Sequence, residues 1–132
     1  MEKDSFFYYH EGVSFFNIAN NCLAKPERKF NNELMFNVLS MSIERMLISV
    51  LLHNGIMPVS ETASGLIRET SKLITWPEHC IQQARWLNRF VHLCSLEPVP
   101  LKIPDDNEIQ QIMLFAGEVK LRVDGLFEPK LV

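Results

Sequence analysis

Positive charge is the first thing this chain lacks. Across 132 residues, 13 lysines and arginines stand against 16 acids, for a net charge of -3. Such a balance gives no global attraction to nucleic acid or to an anionic membrane, so any contact of that kind must use a local patch. Cysteine is scarce as well. Cys22, Cys80 and Cys94 are odd in number and have no C-x-x-C spacing, which argues against a disulfide framework or a thiolate zinc site. They read as small buried hydrophobes of a reducing cytosol. The five glycines, at 12, 55, 65, 117 and 125, are scattered, so no Gly-rich loop is present to cradle a phosphate. No serine sits in a nucleophile elbow. His10, His53 and His79 show no i, i+4 partnering, so neither a helical metal site nor a bound cofactor is expected. The opening "MEKDSFFYYHEG" has no basic stretch leading into a clean apolar run, and no signal peptide is read there. The longest apolar run, "MLISVLL", falls far short of the ~20 residues a membrane span needs. A cytoplasmic protein without membrane contact is the expectation.

Alternating strand patterns of useful length are missing too; what the chain does have is helical periodicity. Hydrophobic residues make up 47%, enough for one core in one domain covering 1–132. Phe6, Tyr9, Val13, Phe16, Ala19 and Leu23 recur at steps of three and four, which predicts a first helix. Asp4 or Ser5 would cap it and Pro26 would stop it. A second helix is expected from Asn31 or Asn32 to His53, with Leu34, Val38, Met41, Met46 and Val50 on its inner side and "HNG" as a left-handed stop. Ser60 would cap a short third helix, whose inner face is Leu66, Ile67, Thr70, Leu73 and Ile74. Thr75 and Glu78 are spaced as a capping box for a fourth helix that runs to about Leu96. The proline-rich "EPVPLKIPDD" then leads to a fifth helix from Asp105 or Asp106, with the stripe Ile109, Ile112, Ala116, Val119, Val123 and Leu126. The expected fold is therefore all-α, an up-and-down bundle of four long helices and one short one.

The chemically richest stretch is "ARWLNRFVHLC", residues 84 to 94. At 100° per residue Arg85, Arg89 and His92 share one narrow sector with Asn88 at its edge, opposite Cys80, Ala84, Leu87, Val91 and Cys94. A solvated face produces that pattern by itself. The same groups also suit phosphate chemistry, because a guanidinium clamps a phosphate bidentately and an imidazole moves a proton near neutral pH. Glu44 and Arg45 interrupt the most apolar helix and belong at its edge, in a pair, or at a subunit contact.

These segments together resemble the HEPN domains, small helical bundles of prokaryotes. "NELMFNVLSMSIERMLISVLLHNGIMP" looks like that family's long second helix, "ASGLIRE" like its short helix, and "ARWLNRF" like the aromatic-flanked Ala-Arg stretch of its smaller members. Catalytic members carry an Arg, usually followed by a polar residue, and a His separated from the Arg by four to six intervening residues, implicated in metal-independent RNA cleavage at a dimer interface. Here Arg85 and His92 fit the loosest spacing, with Trp86 in place of the polar residue; in the alternative register Asn88 and His92 match, with Leu87 in place of the Arg. The resemblance implies a homodimer acting as a non-catalytic, RNA- or nucleotide-associated accessory module, partnered by a nucleotidyltransferase or an antitoxin. Its alternatives are a toxin-like endoribonuclease using Arg85 and His92, with Asn88 and Arg89 contacting RNA, and a pure protein-interaction scaffold.

Overall fold

A computed structural model describes residues 2–25, 30–90 and 102–127. Five α-helices account for most of them: α1 (Glu2–Ala24), α2 (Asn32–His53), α3 (Ala63–Thr70), α4 (Glu78–Trp86) and α5 (Asp106–Phe127), with a 3-10 turn, Leu87–Arg89, continuing α4. Among the described residues there are no strands, only a single parallel bridge between Phe90 and Lys102. The all-helical class is as expected. The proportions differ: three helices are long, at 23, 22 and 22 residues, and two are short, at 8 and 9.

α2 is the axis of the fold. Met35, Leu39, Ile43, Met46, Leu47, Val50 and Leu51 are wholly buried, and its neighbours cover it on most sides. By length and composition it could cross a membrane, and 67% of its most apolar window is buried inside the protein. The short-run argument thus understated this helix: Ser42, Ser49 and Asn37 break the apolar run yet are themselves buried. Leu34, expected inside, is exposed, because inward-facing positions on a surrounded helix start one residue later, at Met35.

α1 runs antiparallel to α2. Glu11 pairs with Arg45, Ser42 Oγ donates to the Gly12 carbonyl at 2.7 Å, and Phe6 meets His53 edge-on. α1 is also antiparallel to α5: Tyr9 Oη donates to Asp124 Oδ1 at 2.6 Å, while Phe16 lies over Gly117 one to two turns away. α2 and α5 are parallel, since Asn32 bonds Asp106 at one end and His53 packs on Phe127 at the other. Gly12 explains the close approach of α1 and α2. A Cβ there would stand 2.6 Å from Met46 Cγ and 3.0 Å from the Ser42 carbonyl oxygen. The buried stripe of α1 is accordingly Ser5, Tyr9, Gly12 and Ala19, and Phe6 is exposed instead of inside. Small residues let the backbones meet; of the stripe that the periodicity selects, Tyr9 and Ala19 are buried and Val13, Phe16 and Leu23 pack partly buried against the core. Neither Asp4 nor Ser5 caps α1, which already starts at Glu2; Pro26 lies outside the described residues.

Local chemistry accounts for the other boundaries. Asn31 caps α2, its side chain accepting from Leu34 N–H at 2.8 Å. At the far end Gly55 adopts φ 72°, Gly55 N–H bonds Leu52 and Ile56 N–H bonds Leu51, the Schellman pattern that "HNG" announces. α3 is capped by Thr62 rather than Ser60. Ser60 N–H and Val59 N–H both go to the Glu69 carboxylate at 2.9 Å, which ties the loop down beside Gly65. Thr75 and Glu78 form no capping box, since Pro77 occupies the cap position without a side-chain bond. Asp105 and Glu108 do form one at the start of α5: the Asp105 carboxylate accepts from Glu108 N–H at 2.8 Å and the Glu108 carboxylate accepts from Asp105 N–H at 3.0 Å. Leu73 and Leu126, expected inside, are partly exposed, while Met113, Phe115 and Phe127 join the core.

Candidate functional site

α4 positions most of the chemically interesting side chains. It is much shorter than periodicity predicts. The helix proper ends at Trp86, the backbone tightens to a 3-10 turn through Arg89, and Phe90 turns extended at φ -104°, ψ 161°. Phe90 is wholly buried against Phe36 and Trp86. The extended backbone at Phe90 ends the regular helix there, short of the Leu96 expected from periodicity. His92, Val91 and Cys94 lie outside the described residues.

The inner side of α4 is as expected: Cys80, Ala84 and Leu87 are buried. Opposite them, Arg85, Asn88 and Arg89 are exposed. Asn88 Nδ2 reaches Ser64 Oγ on α3 at 3.3 Å, so this stripe abuts the outer side of α3. Arg68, one turn beyond Ser64 on the same face, is also exposed. None of the three guanidiniums forms an ion pair with an acid among the described residues. Arg85 and Arg89 are thus brought together with Asn88, but Arg85 sits in the last turn of its helix. A cation there is favoured by the helix dipole whatever its other role.

The other flank of α4 carries a cluster that spacing could not show. His79 Nε2 lies 2.7 Å from Glu118 Oε2 on α5, and Cys80 Sγ donates to the same oxygen at 3.3 Å. The three donor atoms all lie within 4.8 Å of one another. The bond from His79 holds the Glu118 carboxyl below its usual range, helped by Cys80 and Arg122. Burial, with the bond to Glu118 and its negative charge, pushes the Cys80 thiol up to about 11. Beside the cluster a surface depression is lined by His79, Gln82, Gln83, Trp86 and Gln111. Gln83 Oε1 is shielded from solvent there without a hydrogen-bond partner. His79 and Cys80 are adjacent in sequence, but Glu118 is 38 residues from Cys80. Only the packing of α5 on α4 joins them.

A third group centres on Glu44 and Arg45. The Arg45 guanidinium lies over the rings of Tyr8 and Phe15, at 5.7 and 5.8 Å, while paired with Glu11. Arg45 therefore serves the α1–α2 seam, one of the outcomes expected for it. Burial pushes Glu44 up to about 7, against the pull of Arg45 and with a smaller push from Glu61.

No protein-family model, curated protein or solved structure matches this chain.

Proposed function

We propose that the chain is a HEPN-like up-and-down helical domain that works as a non-catalytic, RNA- or nucleotide-associated accessory module. In this reading it is a cytoplasmic homodimer that engages a nucleotidyltransferase or antitoxin partner, and Arg85, Asn88 and Arg89 contact phosphate. The supporting observation is the exposed Arg85–Asn88–Arg89 stripe, whose guanidiniums have no acid partner among the described residues. On a chain of net charge -3, unneutralised arginines side by side make the local patch that anion binding requires. The guanidinium plane suits bidentate phosphate contact. Catalysis is left out because Arg85 is followed by Trp86 and stands at a helix end, whereas a nuclease needs a proton-transfer group and a charge stabiliser set in one geometry.

The test is single-stranded RNA binding measured across a salt series. Each phosphate contact contributes about 0.7 to the slope of log affinity against log salt on single strands. Arg85→Ala and Arg89→Ala should each weaken binding and flatten that slope by about this amount. Equal binding by wild type and both variants would reject the RNA-contact reading and leave a protein-interaction scaffold. Cleavage of RNA in EDTA that disappears in both Arg85→Ala and His92→Ala would replace it with the endoribonuclease.

A further inference from the structure

We propose that His79, Cys80 and Glu118 form a binding site for one thiophilic divalent cation of the zinc class, open to solvent on the side of the Gln82–Trp86 depression. The argument starts from convergence. An imidazole nitrogen and a sulfur reach the same carboxylate oxygen, at 2.7 and 3.3 Å, instead of dividing between the two oxygens. All three donors fall within 4.8 Å of one another. Ligands about 2.0–2.3 Å from a tetrahedral zinc are spaced roughly 3.3–3.7 Å apart, so small rotations of the His79 and Glu118 side chains suffice to surround an ion.

The donor set also discriminates. Sulfur with imidazole and carboxylate selects zinc, cobalt or copper over magnesium and calcium, which prefer all-oxygen shells. Cys80 is wholly buried while the His79 side chain is 59% exposed, so one wall of the site is rigid and the other is accessible for entry. Three protein ligands leave a fourth position for water, on the side where Gln82, Gln83 and Gln111 face the depression. Arg122, on α5, is the nearby cation that opposes a metal, but its guanidinium lies over the Trp76 ring at 5.9 Å. Without metal the three groups satisfy one another by hydrogen bonds, which is the competing account of the cluster.

Binding replaces those bonds. The Cys80 S–H bond breaks and its proton leaves to solvent, the thiolate and the Glu118 carboxylate bond the cation, and the His79 ring proton passes through solvent from Nε2 to Nδ1, which frees the Nε2 lone pair for the cation. The charges cancel at the site, and no oxidant or reductant is involved. One proton should therefore be released per ion.

Cobalt(II) titrated into the EDTA-stripped full chain tests this. The expected result is a 1:1 complex with a thiolate-to-cobalt charge-transfer band that zinc bleaches, and release of close to one proton. His79→Ala, whose side chain is largely exposed, should keep the helical circular dichroism and lose at least tenfold in cobalt affinity. Cys80→Ser should lose the band, and Cys22→Ser and Cys94→Ser should retain it. Cobalt binding without a charge-transfer band, a band that survives in Cys80→Ser, equal affinity in His79→Ala, or no binding at millimolar cobalt would each overturn the site. The RNA salt series does not involve these residues, so the two proposals fail separately.

Discussion

Single residues set the sharpest energetic terms in this fold. Gly12 is the clearest: a methyl there meets Met46 Cγ and backbone atoms of both Ser42 and Met46 at 3.0 Å or less. Alanine would gain up to about 1 kcal/mol of helix propensity, but the overlap at 2.6 Å is with the inner Cγ of buried Met46, and two backbone atoms at 3.0 Å limit any shift away from it. Gly12→Ala is expected to destabilise by about 1–3 kcal/mol on balance, read as a lower urea midpoint with unchanged slope. Glu44 gives a pH dependence with a definite sign. Its folded carboxyl titrates near 7, above the ordinary 4.5, so between those values the folded state binds more protons than the unfolded one. This group's contribution therefore falls as pH rises from 4.5 through 7, and the full penalty, up to roughly 3 kcal/mol, stands above pH 7. Glu44→Gln should raise the melting temperature at pH 8 and leave it nearly unchanged at pH 4. A melting-temperature difference of the same size at both values would show that the carboxyl is not desolvated.

At the scale of elements, α5 tests the helix phase. Val119 is wholly buried, whereas Leu121, two positions on, is 75% exposed. Val119→Asp buries a charge without a partner and should cost about 3–5 kcal/mol, whereas Leu121→Asp should stay within about 0.5 kcal/mol. Thermal melts of the two variants decide it. Lys120 would have been the natural wet control from sequence, but it bonds Asp124 at 2.6 Å and lies over the Phe16 ring. An acid at 120 would lose both contacts and face Asp124. α4 carries the opposite lesson. Its start and inner face were legible, from Cys80, Ala84 and Leu87, but its end was not. Amphipathic spacing continues through Val91, whereas the backbone turns extended at Phe90, whose ring packs against Phe36 on α2. That contact joins positions 54 residues apart, and no local pattern encodes it.

For the whole molecule the open quantity is assembly. α1 leaves Phe7 60% exposed with Phe6 and Ile18 also in solvent, and α5 leaves Leu114 and Leu121 at 70% and 75%. The aromatic excess of α1 was visible in sequence, and so was the outward placing of Leu114 and Leu121, which fall off the inner stripe of α5. Exposed apolar patches of this kind mark contacts, and a two-fold dimer through the α1 surface is expected. Light scattering at tens of micromolar protein should give twice the chain mass of 15.3 kDa, and Phe7→Asp should halve it. A monomer in the wild type would remove the dimer from the proposed function.

Sequence alone determined the helical class, the caps at Asn31 and Gly55, and the exposure of Arg85, Asn88 and Arg89. Each depends on spacing within a few residues, where helical geometry applies without knowing the neighbours. Tertiary structure alone decided how closely α1 approaches α2, because a side chain at Gly12 would meet Met46 and the Ser42 carbonyl. It decided the end of α4 at Phe90. It also decided that His79 and Cys80 meet Glu118, since side chains on two helices, 38 residues apart in sequence, become neighbours only when the fold sets those helices side by side.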